Sequence, residues 1–177
     1  MSDFKITVAG FGGQGILFLG KIIAYGGLID EKEVSWFPSY GPEMRGGTAY
    51  CDICISEKPI STPIVSSPDV LIAMNKPSYD KFIGNVKSGG IVIIDSSLVL
   101  DIEARADVKT FFVPATKLAE ENDLKGLANI IILGKLYKET EFCTKDAFLK
   151  GIGKSISARK EHLLKANFKA IEIGSSC

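Results

Sequence analysis

The spacing of apolar residues predicts that the chain opens with a strand, a tight turn and a buried helix. Phe4–Gly10 is a short run rich in β-branched residues that ends in glycine, which is typical of a strand. Gln14–Leu28 is apolar over most of its length, as expected of a buried helix. Glu33–Phe37 is predicted as a second strand, and Pro38 and Pro42 should end it because proline has no amide hydrogen to donate.

Four further strands and a short helix are predicted in the middle of the chain. Thr48–Ser56 alternates between apolar and polar residues, which indicates a half-buried strand. Val70–Met74 and Ile91–Ile94 are continuous apolar runs, typical of strands covered by helices on both faces, so they should form the centre of the sheet. A short helix is expected within Lys76–Val86, and Thr110–Val113 supplies another strand.

The last third of the chain carries helical patterns. Asn129–Lys138, Lys145–Ile156 and Ala158–Ile173 place apolar residues at intervals of three and four, with charged residues between them. The mixture predicts an α/β fold, a three-layer α/β/α sandwich with a mostly parallel or mixed central sheet and a Rossmann-like start. A length of 177 residues with 46% hydrophobic residues suits a single domain over 1–177.

The balance of charge excludes some partners. With 21 basic and 21 acidic residues the formal net charge is zero, so no long-range field attracts nucleic acid or an anionic membrane. No stretch approaches the roughly 20 apolar residues that span a bilayer, and we expect a cytoplasmic protein without a membrane span. Cys51, Cys54, Cys143 and Cys177 are too scattered for a disulfide framework, so reduced thiols are expected.

The first candidate site is a glycine-rich turn between the first strand and helix. Its residues are Gly10, Phe11, Gly12, Gly13, Gln14 and Gly15. The pattern matches G-x-G-x-x-G, and free amides at the start of the helix could receive a phosphate, with the Gln14 amide donating or accepting nearby. The alternative is a purely structural tight turn. A dinucleotide site is disfavoured because the second strand runs into Pro38 rather than an acidic residue, while Asp30 and Glu31 precede that strand.

The second candidate site is the segment that follows the second strand. Its residues are Ser39, Tyr40, Gly41, Pro42, Glu43, Met44, Arg45, Gly46 and Gly47. Arg45 is the best anion-binding candidate because a guanidinium grips phosphate or carboxylate with two hydrogen bonds, and Glu43 would orient it. The alternative is a Glu43–Arg45 ion pair that stiffens a surface loop. Ligands of open α/β sheets bind beyond the carboxyl ends of strands, so the two segments could form one site.

Other chemistry is poorly supported by the sequence. Cys51 and Cys54 lie three positions apart in a predicted strand, so their thiols should point to opposite faces and not share a metal. An iron-sulfur cluster would need a second closely spaced pair, which the sequence lacks. His162 is the only histidine and has no evident nucleophile to form a hydrolase triad. We therefore assign no catalytic residue and no metal ligand.

Several motifs together resemble the gamma subunit or domain of 2-oxoacid:ferredoxin oxidoreductases. They are the glycine-rich turn, the run from Ser39 to Thr48, Pro68-Asp69-Val70, Ala128-Asn129, Gly134, and a final helix with Asn167, Ala170 and Gly174. The resemblance therefore covers nearly the whole chain. The Tyr40-Gly41-Pro42-Glu43 form is most similar to the enzymes that act on 2-oxoglutarate and on branched-chain 2-oxoacids.

The resemblance implies a role within a larger enzyme. Such complexes decarboxylate a 2-oxoacid on thiamine diphosphate with Mg²⁺, pass electrons through iron-sulfur clusters to ferredoxin or another acceptor, and release an acyl-coenzyme A. For this chain it implies 2-oxoglutarate as substrate, succinyl-coenzyme A as product, and alpha-type, beta-type and ferredoxin-like delta subunits as partners. The cofactors would lie on those other chains.

The resemblance further implies that this chain is structural and shapes the coenzyme A side of the active site, with Gly12, Gly13, Gln14 and Arg45 as candidates. Two alternatives remain. One is a stand-alone nucleotide- or phosphate-binding α/β enzyme, and the other is a subunit whose two candidate segments only pack against a neighbouring protein.

Overall fold

The computed structural model describes residues 3–39, 48–156 and 163–177. The strands are β1 (Phe4–Gly10), β2 (Glu33–Ser39), β3 (Ala49–Ser56), β4 (Val70–Ala73), β5 (Ile91–Asp95) and β6 (Lys109–Val113). The helices are α1 (Ile16–Ile29), α2 (Lys76–Phe82), α3 (Ala115–Glu121), α4 (Ala128–Thr140), α5 (Lys145–Ser155) and α6 (Leu164–Ser176), and a 3₁₀ turn follows α2 at Ile83–Asn85.

The strands form one mixed sheet in the order β2-β3-β1-β4-β5-β6. β3 is antiparallel to both of its neighbours, whereas β1, β4, β5 and β6 pair in parallel. Because β3 is antiparallel to β1 and to β2, these two strands run in the same direction. The carboxyl ends of β1, β2, β4, β5 and β6 therefore lie at one edge of the sheet, which we call the carboxyl edge.

Helices cover both faces of the sheet and give the expected three layers. Side chains of β4 and β5 alternate between the faces, and both sets are buried. Ile72 and Ile93 belong to the larger apolar cluster, which also contains residues of α1, α3, α4, α5 and α6. Leu71, Val92 and Ile94 belong to a smaller cluster beneath α2. The predicted α/β fold is confirmed, and β4 lies inside the sheet as predicted.

The prediction that β3 is half-buried was wrong, because both of its faces are covered. Asp52 is 4% exposed on the face that should have been solvated. Its carboxylate accepts hydrogen bonds from Thr7 Oγ1 at 2.8 Å and from the backbone N–H of Val65 at 3.2 Å. Burial raises the pKa of Asp52. Alternation alone could not reveal that the segment after β3 folds back over these polar residues.

The predicted end of the second strand was also wrong. β2 continues through Pro38 to Ser39, with Pro38 opposite Cys51 of β3. An edge strand tolerates proline because one side of its backbone has no partner strand. The sequence prediction also placed the start of α1 at Gln14 rather than Ile16 and missed α3. The patterns for α4 and α5 were close to the observed bounds.

Two glycines set the close crossing of α4 and α6. A Cβ atom at Gly134 would collide with the carbonyl oxygen of Ile171, and one at Gly174 would collide with the carbonyl oxygen of Ile131. Both obstacles are backbone atoms, which cannot rotate away as a side chain can. Each helix therefore presents a glycine to the other, and the backbones approach more closely than side chains would allow.

Candidate functional site

The glycine-rich turn lies at the carboxyl edge, between β1 and α1. Gly13 has φ 93° and Gly15 has φ 72°, a left-handed conformation that favours glycine at both positions. Gly15 is the N-cap of α1, and among residues 3–39, 48–156 and 163–177 no side chain accepts a hydrogen bond from the first turn of this helix. The amide groups at the start of α1 are therefore free of side-chain capping, an arrangement that suits an anionic group.

Gln14 fastens this turn to the end of β4. Its Oε1 accepts hydrogen bonds from the backbone N–H of Phe11 at 2.6 Å and from Asn75 Nδ2 at 3.1 Å. Its Nε2 donates to the carbonyl oxygen of Met74 at 2.9 Å. The amide was predicted to donate or accept at the turn, and it does so with protein partners. Gln14 therefore positions the glycines and has little capacity left for a ligand.

The turn borders the point where the chain connections change face. From β1 the chain crosses to α1 on the face of the larger apolar cluster, whereas from β4 it crosses to α2 on the opposite face. Asn75 caps α2 by accepting a hydrogen bond from the backbone N–H of Ser78 at 2.9 Å. In open α/β sheets the crevice between two such strands is the usual ligand position.

Two clefts flank the turn. The first, which we call the α3–α4 cleft, has a volume of about 310 Å³. Its lining includes Gly13, Gln14, Thr116, Glu120, Lys125 and Asn129. The second, which we call the α1 cleft, has a volume of about 270 Å³. Its lining includes Phe11, Gly12, Gly13, Leu17, Phe18 and Ala49. Gly13 is common to both clefts, so the turn forms the wall between them.

The second candidate segment is described only at its flanks. Ser39 ends β2 at the carboxyl edge, opposite Tyr50 of β3, and Tyr50 lies opposite Ala9 of β1. Strand spacings of about 4.8 Å put Ser39 roughly 10 Å from the end of β1. Tyr40, Glu43, Arg45, Gly46 and Gly47 lie outside the described residues. The sheet therefore brings both ends of their segment to the edge that carries the glycine-rich turn.

Lys81 is a further candidate residue, which the sequence did not indicate. Its Nζ donates to Thr48 Oγ1 at 3.1 Å and lies 5.3 Å from the centre of the Tyr50 ring and 5.2 Å from that of Phe82. No carboxylate in the described part of the chain forms an ion pair with it. Lys81 thus adds a positive charge beside the start of β3. An exposed lysine on a short helix carries no signal in the sequence that could have identified it.

The sequence indicated Asn129 only as one of the motif residues shared with the gamma subunits. It lies in the first turn of α4, is 4% exposed, and donates from Nδ2 to the carbonyl oxygen of Gly15 at 3.2 Å. A Cβ atom at Gly15 would collide with this amide group. Its Oδ1 is buried and has no hydrogen-bond partner among the residues that the structure describes. A polar residue within an otherwise apolar helix, Ala128–Leu133, is the sequence signal that could have drawn attention to it.

Neither Cys51 nor a cluster of metal-ligating side chains adds chemistry to this edge in the part of the chain that the structure describes. Cys51 points into the larger cluster and donates to the carbonyl oxygen of Ile16 at 3.6 Å, and burial raises the pKa of its thiol to about 12. Within residues 3–39, 48–156 and 163–177, no three His, Cys, Asp or Glu side chains are grouped to hold a metal. None of the helices found there is long and apolar enough to cross a membrane.

The position of β3 removes the dinucleotide alternative from this edge. In a dinucleotide-binding fold the second strand lies beside the first, and its terminal acidic residue reaches the ribose. Here β3 separates β1 from β2. Asp30 accepts hydrogen bonds from the backbone N–H and Oγ1 of Thr144, both at 2.6 Å, and so ties the end of α1 to the start of α5.

Known proteins resemble this chain over almost its whole length. The chain is 35% identical over 174 residues to the ketoisovalerate oxidoreductase subunit VorA of Methanothermobacter marburgensis, covering 98% of this chain and 36% of that protein. It is 38% identical over 173 residues to the 2-oxoglutarate synthase subunit KorC of Methanocaldococcus jannaschii, covering 96% and 92%. The chain thus spans about a third of VorA but nearly all of KorC.

A solved structure and a family model agree with these relatives. The keto/oxoacid ferredoxin oxidoreductase gamma subunit of Geobacter sulfurreducens matches with a TM-score of 0.87 at 28% identity, covering 99% of this chain and 96% of that one. The model named pyruvate ferredoxin/flavodoxin oxidoreductase matches residues 5–177. These matches confirm the resemblance to gamma subunits that the motifs indicated. The chain belongs to the pyruvate ferredoxin/flavodoxin oxidoreductase family.

Proposed function

We propose that this chain is the gamma subunit of a multi-subunit 2-oxoacid:ferredoxin oxidoreductase that converts 2-oxoglutarate to succinyl-coenzyme A. The proposal is supported by the match to KorC, a 2-oxoglutarate synthase subunit of nearly the same length. The match to VorA, a ketoisovalerate oxidoreductase subunit, makes a branched-chain 2-oxoacid the competing substrate. Alpha-type, beta-type and ferredoxin-like delta subunits are the proposed partners, with ferredoxin or another acceptor receiving the electrons.

We place thiamine diphosphate, Mg²⁺ and the iron-sulfur clusters on those partner subunits. A cluster needs thiolates exposed to bound iron, whereas here Cys51 and Cys143 are both buried among apolar side chains of the larger cluster. Burial raises the pKa of Cys143 to about 12, so its thiolate is disfavoured. The chain then acts by shape and charge within the complex rather than by redox chemistry.

Within the complex, we propose that the carboxyl edge shapes the coenzyme A side of the active site. The observation that carries this role is the start of α1, where the helix amides have no side-chain cap from any residue that the structure describes. Lys81 adds a cation at the same edge, where its Nζ donates to Thr48 Oγ1. Coenzyme A carries phosphate groups, which uncapped helix amides and a lysine ammonium attract.

Reconstitution tests this proposal. Purified alpha-type, beta-type and delta subunits are mixed with or without this chain, and coenzyme A-dependent reduction of a viologen dye is measured for 2-oxoglutarate and for 2-oxoisovalerate. We expect activity only when this chain is present, with the larger kcat/KM for 2-oxoglutarate. Full activity without the chain would contradict the subunit role, and a preference for 2-oxoisovalerate would correct the substrate.

Lys81→Met then separates a ligand role from a packing role. If Lys81 attracts the phosphates, the KM for coenzyme A rises while the affinity among the subunits is unchanged. Lys150→Met is the matched control, because Lys150 is exposed on α5 and forms an ion pair with Asp146. A loss of assembly with an unchanged KM would favour a purely structural subunit. Tight nucleotide binding by the isolated chain, without subunit assembly, would favour the stand-alone alternative.

A further inference from the structure

Helix α1 carries apolar residues on its outer side as well as on its inner side. Lys21 is the only charged residue in this helix of 14 residues. A helix that is apolar all round is usually buried, whereas α1 keeps one stripe of side chains outside the core. This stripe, which we call the outer stripe, consists of Leu17, Lys21, Tyr25 and Leu28. Leu28 is 52% exposed and the other three are half-buried, so the outer stripe lacks the polar character of a helix face that meets only solvent.

Lys154 of α5 brings a second positive charge to the outer stripe. The two helices lie close together, because a Cβ atom at Gly151 would be 3.2 Å from the backbone nitrogen of Gly26. Lys21 Nζ lies 5.6 Å and Lys154 Nζ lies 5.3 Å from the centre of the Tyr25 ring. Neither ammonium forms an ion pair with a carboxylate in the part of the chain that the structure describes. Two like charges thus share one ring, and a carboxylate from outside would relieve their repulsion.

The geometry of the outer stripe suits another helix. Its members follow one another at intervals of four, four and three residues, and such residues form a ridge along an α-helix. From Leu17 to Leu28 the ridge is about 16 Å long, which is about three turns. Ridges of this kind pack into the grooves of a second helix at interaxial distances of about 8–10 Å. A helix satisfies its own backbone hydrogen bonds, so it can cover these side chains without leaving amide groups unpaired.

A second copy of the chain is a poor occupant of this surface. Two copies that faced each other through their outer stripes would bring together four ammonium groups, two from Lys21 and two from Lys154. Helix α1 contains no acidic residue that could neutralise them. The occupant must instead carry carboxylates on an otherwise apolar face.

We propose that the outer stripe and Lys154 form a docking surface for an α-helix of a partner subunit, whose apolar face carries one carboxylate opposite each ammonium. This inference rests on the proposed function, which supplies the partner subunits, and it adds the surface through which one of them binds. The outer stripe begins at Leu17, which also lines the α1 cleft, so the bound helix would reach the carboxyl edge. Docking would therefore place the glycine-rich turn at the junction between two subunits.

Binding of purified subunits to the full-length chain tests the charges. The alpha-type, beta-type and delta subunits are each titrated against the wild-type chain and against Lys21→Glu/Lys154→Glu. We expect one subunit to bind the double variant at least about tenfold more weakly, since each substitution sets like charges against each other. Lys138→Glu/Lys165→Glu is the matched control, because it makes the same change of charge at two exposed lysines on α4 and α6. Its affinity should stay within about twofold of the wild-type value.

Leu28→Ser tests the apolar part of the surface with little risk to the fold, because the side chain is 52% exposed. It should weaken binding of the same subunit about fivefold, since docking would bury the remaining apolar area. Leu100→Ser is the matched control, because Leu100 is 58% exposed in the segment between β5 and β6, and it should leave the affinity unchanged. Circular dichroism verifies that each variant is folded.

Carbodiimide cross-linking of the assembled complex identifies the contacts, because this reagent joins an ammonium to a carboxylate that touches it. We expect Lys21 and Lys154 to be linked to two acidic residues of one partner subunit, spaced about three, four or seven positions apart as on one face of a helix. Links to acidic residues without helical spacing would overturn the assignment of a helix.

Equal affinity of the wild-type chain and Lys21→Glu/Lys154→Glu for every subunit would overturn the docking surface and leave the proposed subunit role intact. If no subunit bound the wild-type chain, the proposed function would fail, and the docking surface would fail with it. Self-association of the chain that the double substitution abolishes would assign the outer stripe to a second copy. Binding to phosphatidylserine vesicles that the same substitution abolishes would assign it to a membrane surface, and either result would overturn the proposal.

Discussion

Removal of the Gln14 amide should destabilise the chain and disorganise the carboxyl edge together. Gln14→Leu keeps the approximate size of the side chain and removes three hydrogen bonds, those with Phe11 N–H, Asn75 Nδ2 and the Met74 carbonyl oxygen. Phe11 is exposed, so its N–H can bind water instead. Met74 is 1% exposed and Asn75 is 3% exposed, so the groups they leave unpaired are buried.

The magnitude follows from those two buried groups. Each buried polar group left without a partner costs about 1–3 kcal/mol, and the exposed N–H costs little, so the free energy of unfolding should fall by about 2–6 kcal/mol. Gln14→Glu keeps the acceptors and loses only the donation to Met74, but its carboxylate would face that carbonyl oxygen. Its stability should also fall, through the lost donation from Nε2 and the repulsion between the two oxygens.

Urea denaturation of the full chain, followed by circular dichroism, measures these changes. Asn85→Ala is the control, because Asn85 is exposed at the end of the 3₁₀ turn and should change stability by less than about 0.5 kcal/mol. In the reconstituted complex, Gln14→Leu should also raise the KM for coenzyme A, since the turn that carries Gly12 and Gly13 is no longer fastened. A Gln14→Leu chain with unchanged stability and an unchanged KM would refute the reasoning.

Three further predictions concern other parts of the chain. Gly174→Ala should lower the free energy of unfolding, measured in urea, by about 1–3 kcal/mol because the new Cβ atom overlaps with Ile131. Gly153→Ala is the control, since open space surrounds Gly153, and it should raise the free energy of unfolding by about 0.5–1 kcal/mol. Equal effects of the two substitutions would contradict the close crossing of α4 and α6. Asp52 has a raised pKa, so its stabilising contribution is present below the ordinary aspartate pKa and is lost as the pH rises through the raised value. Asp52→Asn should therefore flatten the pH dependence of stability above about pH 4, and an unchanged profile would argue against it. If Arg45 binds a phosphate, Arg45→Ala should raise the KM for coenzyme A, with a loss of about 1.5–3 kcal/mol of binding free energy. If Arg45 instead contacts a partner subunit, the substitution should weaken subunit assembly and leave the KM unchanged. No change in either quantity would show that Arg45 lies in a surface turn only.

The sequence predicted which segments form strands better than it predicted what covers or borders each strand. The apolar runs of β4 and β5 identified buried strands, since such runs have few other uses in an α/β chain. The alternation in β3 predicted one solvated face, because periodicity reports which side chains share a face and not what later covers it. Pro38 misled for a similar reason. The missing amide hydrogen of Pro38 matters only where a neighbouring strand would accept a hydrogen bond from it. Whether β2 has such a neighbour depends on the order of all strands in the sheet, which the local sequence does not record.

The candidate site was predicted in part, and the missing part follows from topology. G-x-G-x-x-G identified the turn, because glycines at left-handed positions have a local cause that the sequence records. The partners of Gln14 lie about 60 residues later, at Met74 and Asn75, where no local pattern indicates contact with the turn. That contact exists because β4 pairs in parallel with β1 and ends at the same edge.

The same topology explains why the turn can serve two clefts. Parallel pairing of β1 with β4, followed by crossings to opposite faces, leaves space at the ends of both strands. Gly13 stands in this space without a side chain, and a Cβ atom there would meet nothing within 4 Å. Gln14 holds the backbone so that the space stays open on both sides. Gly13 therefore leaves room in the turn, whereas the Gln14 side-chain amide keeps the turn rigid, and the proposed ligand site requires both properties.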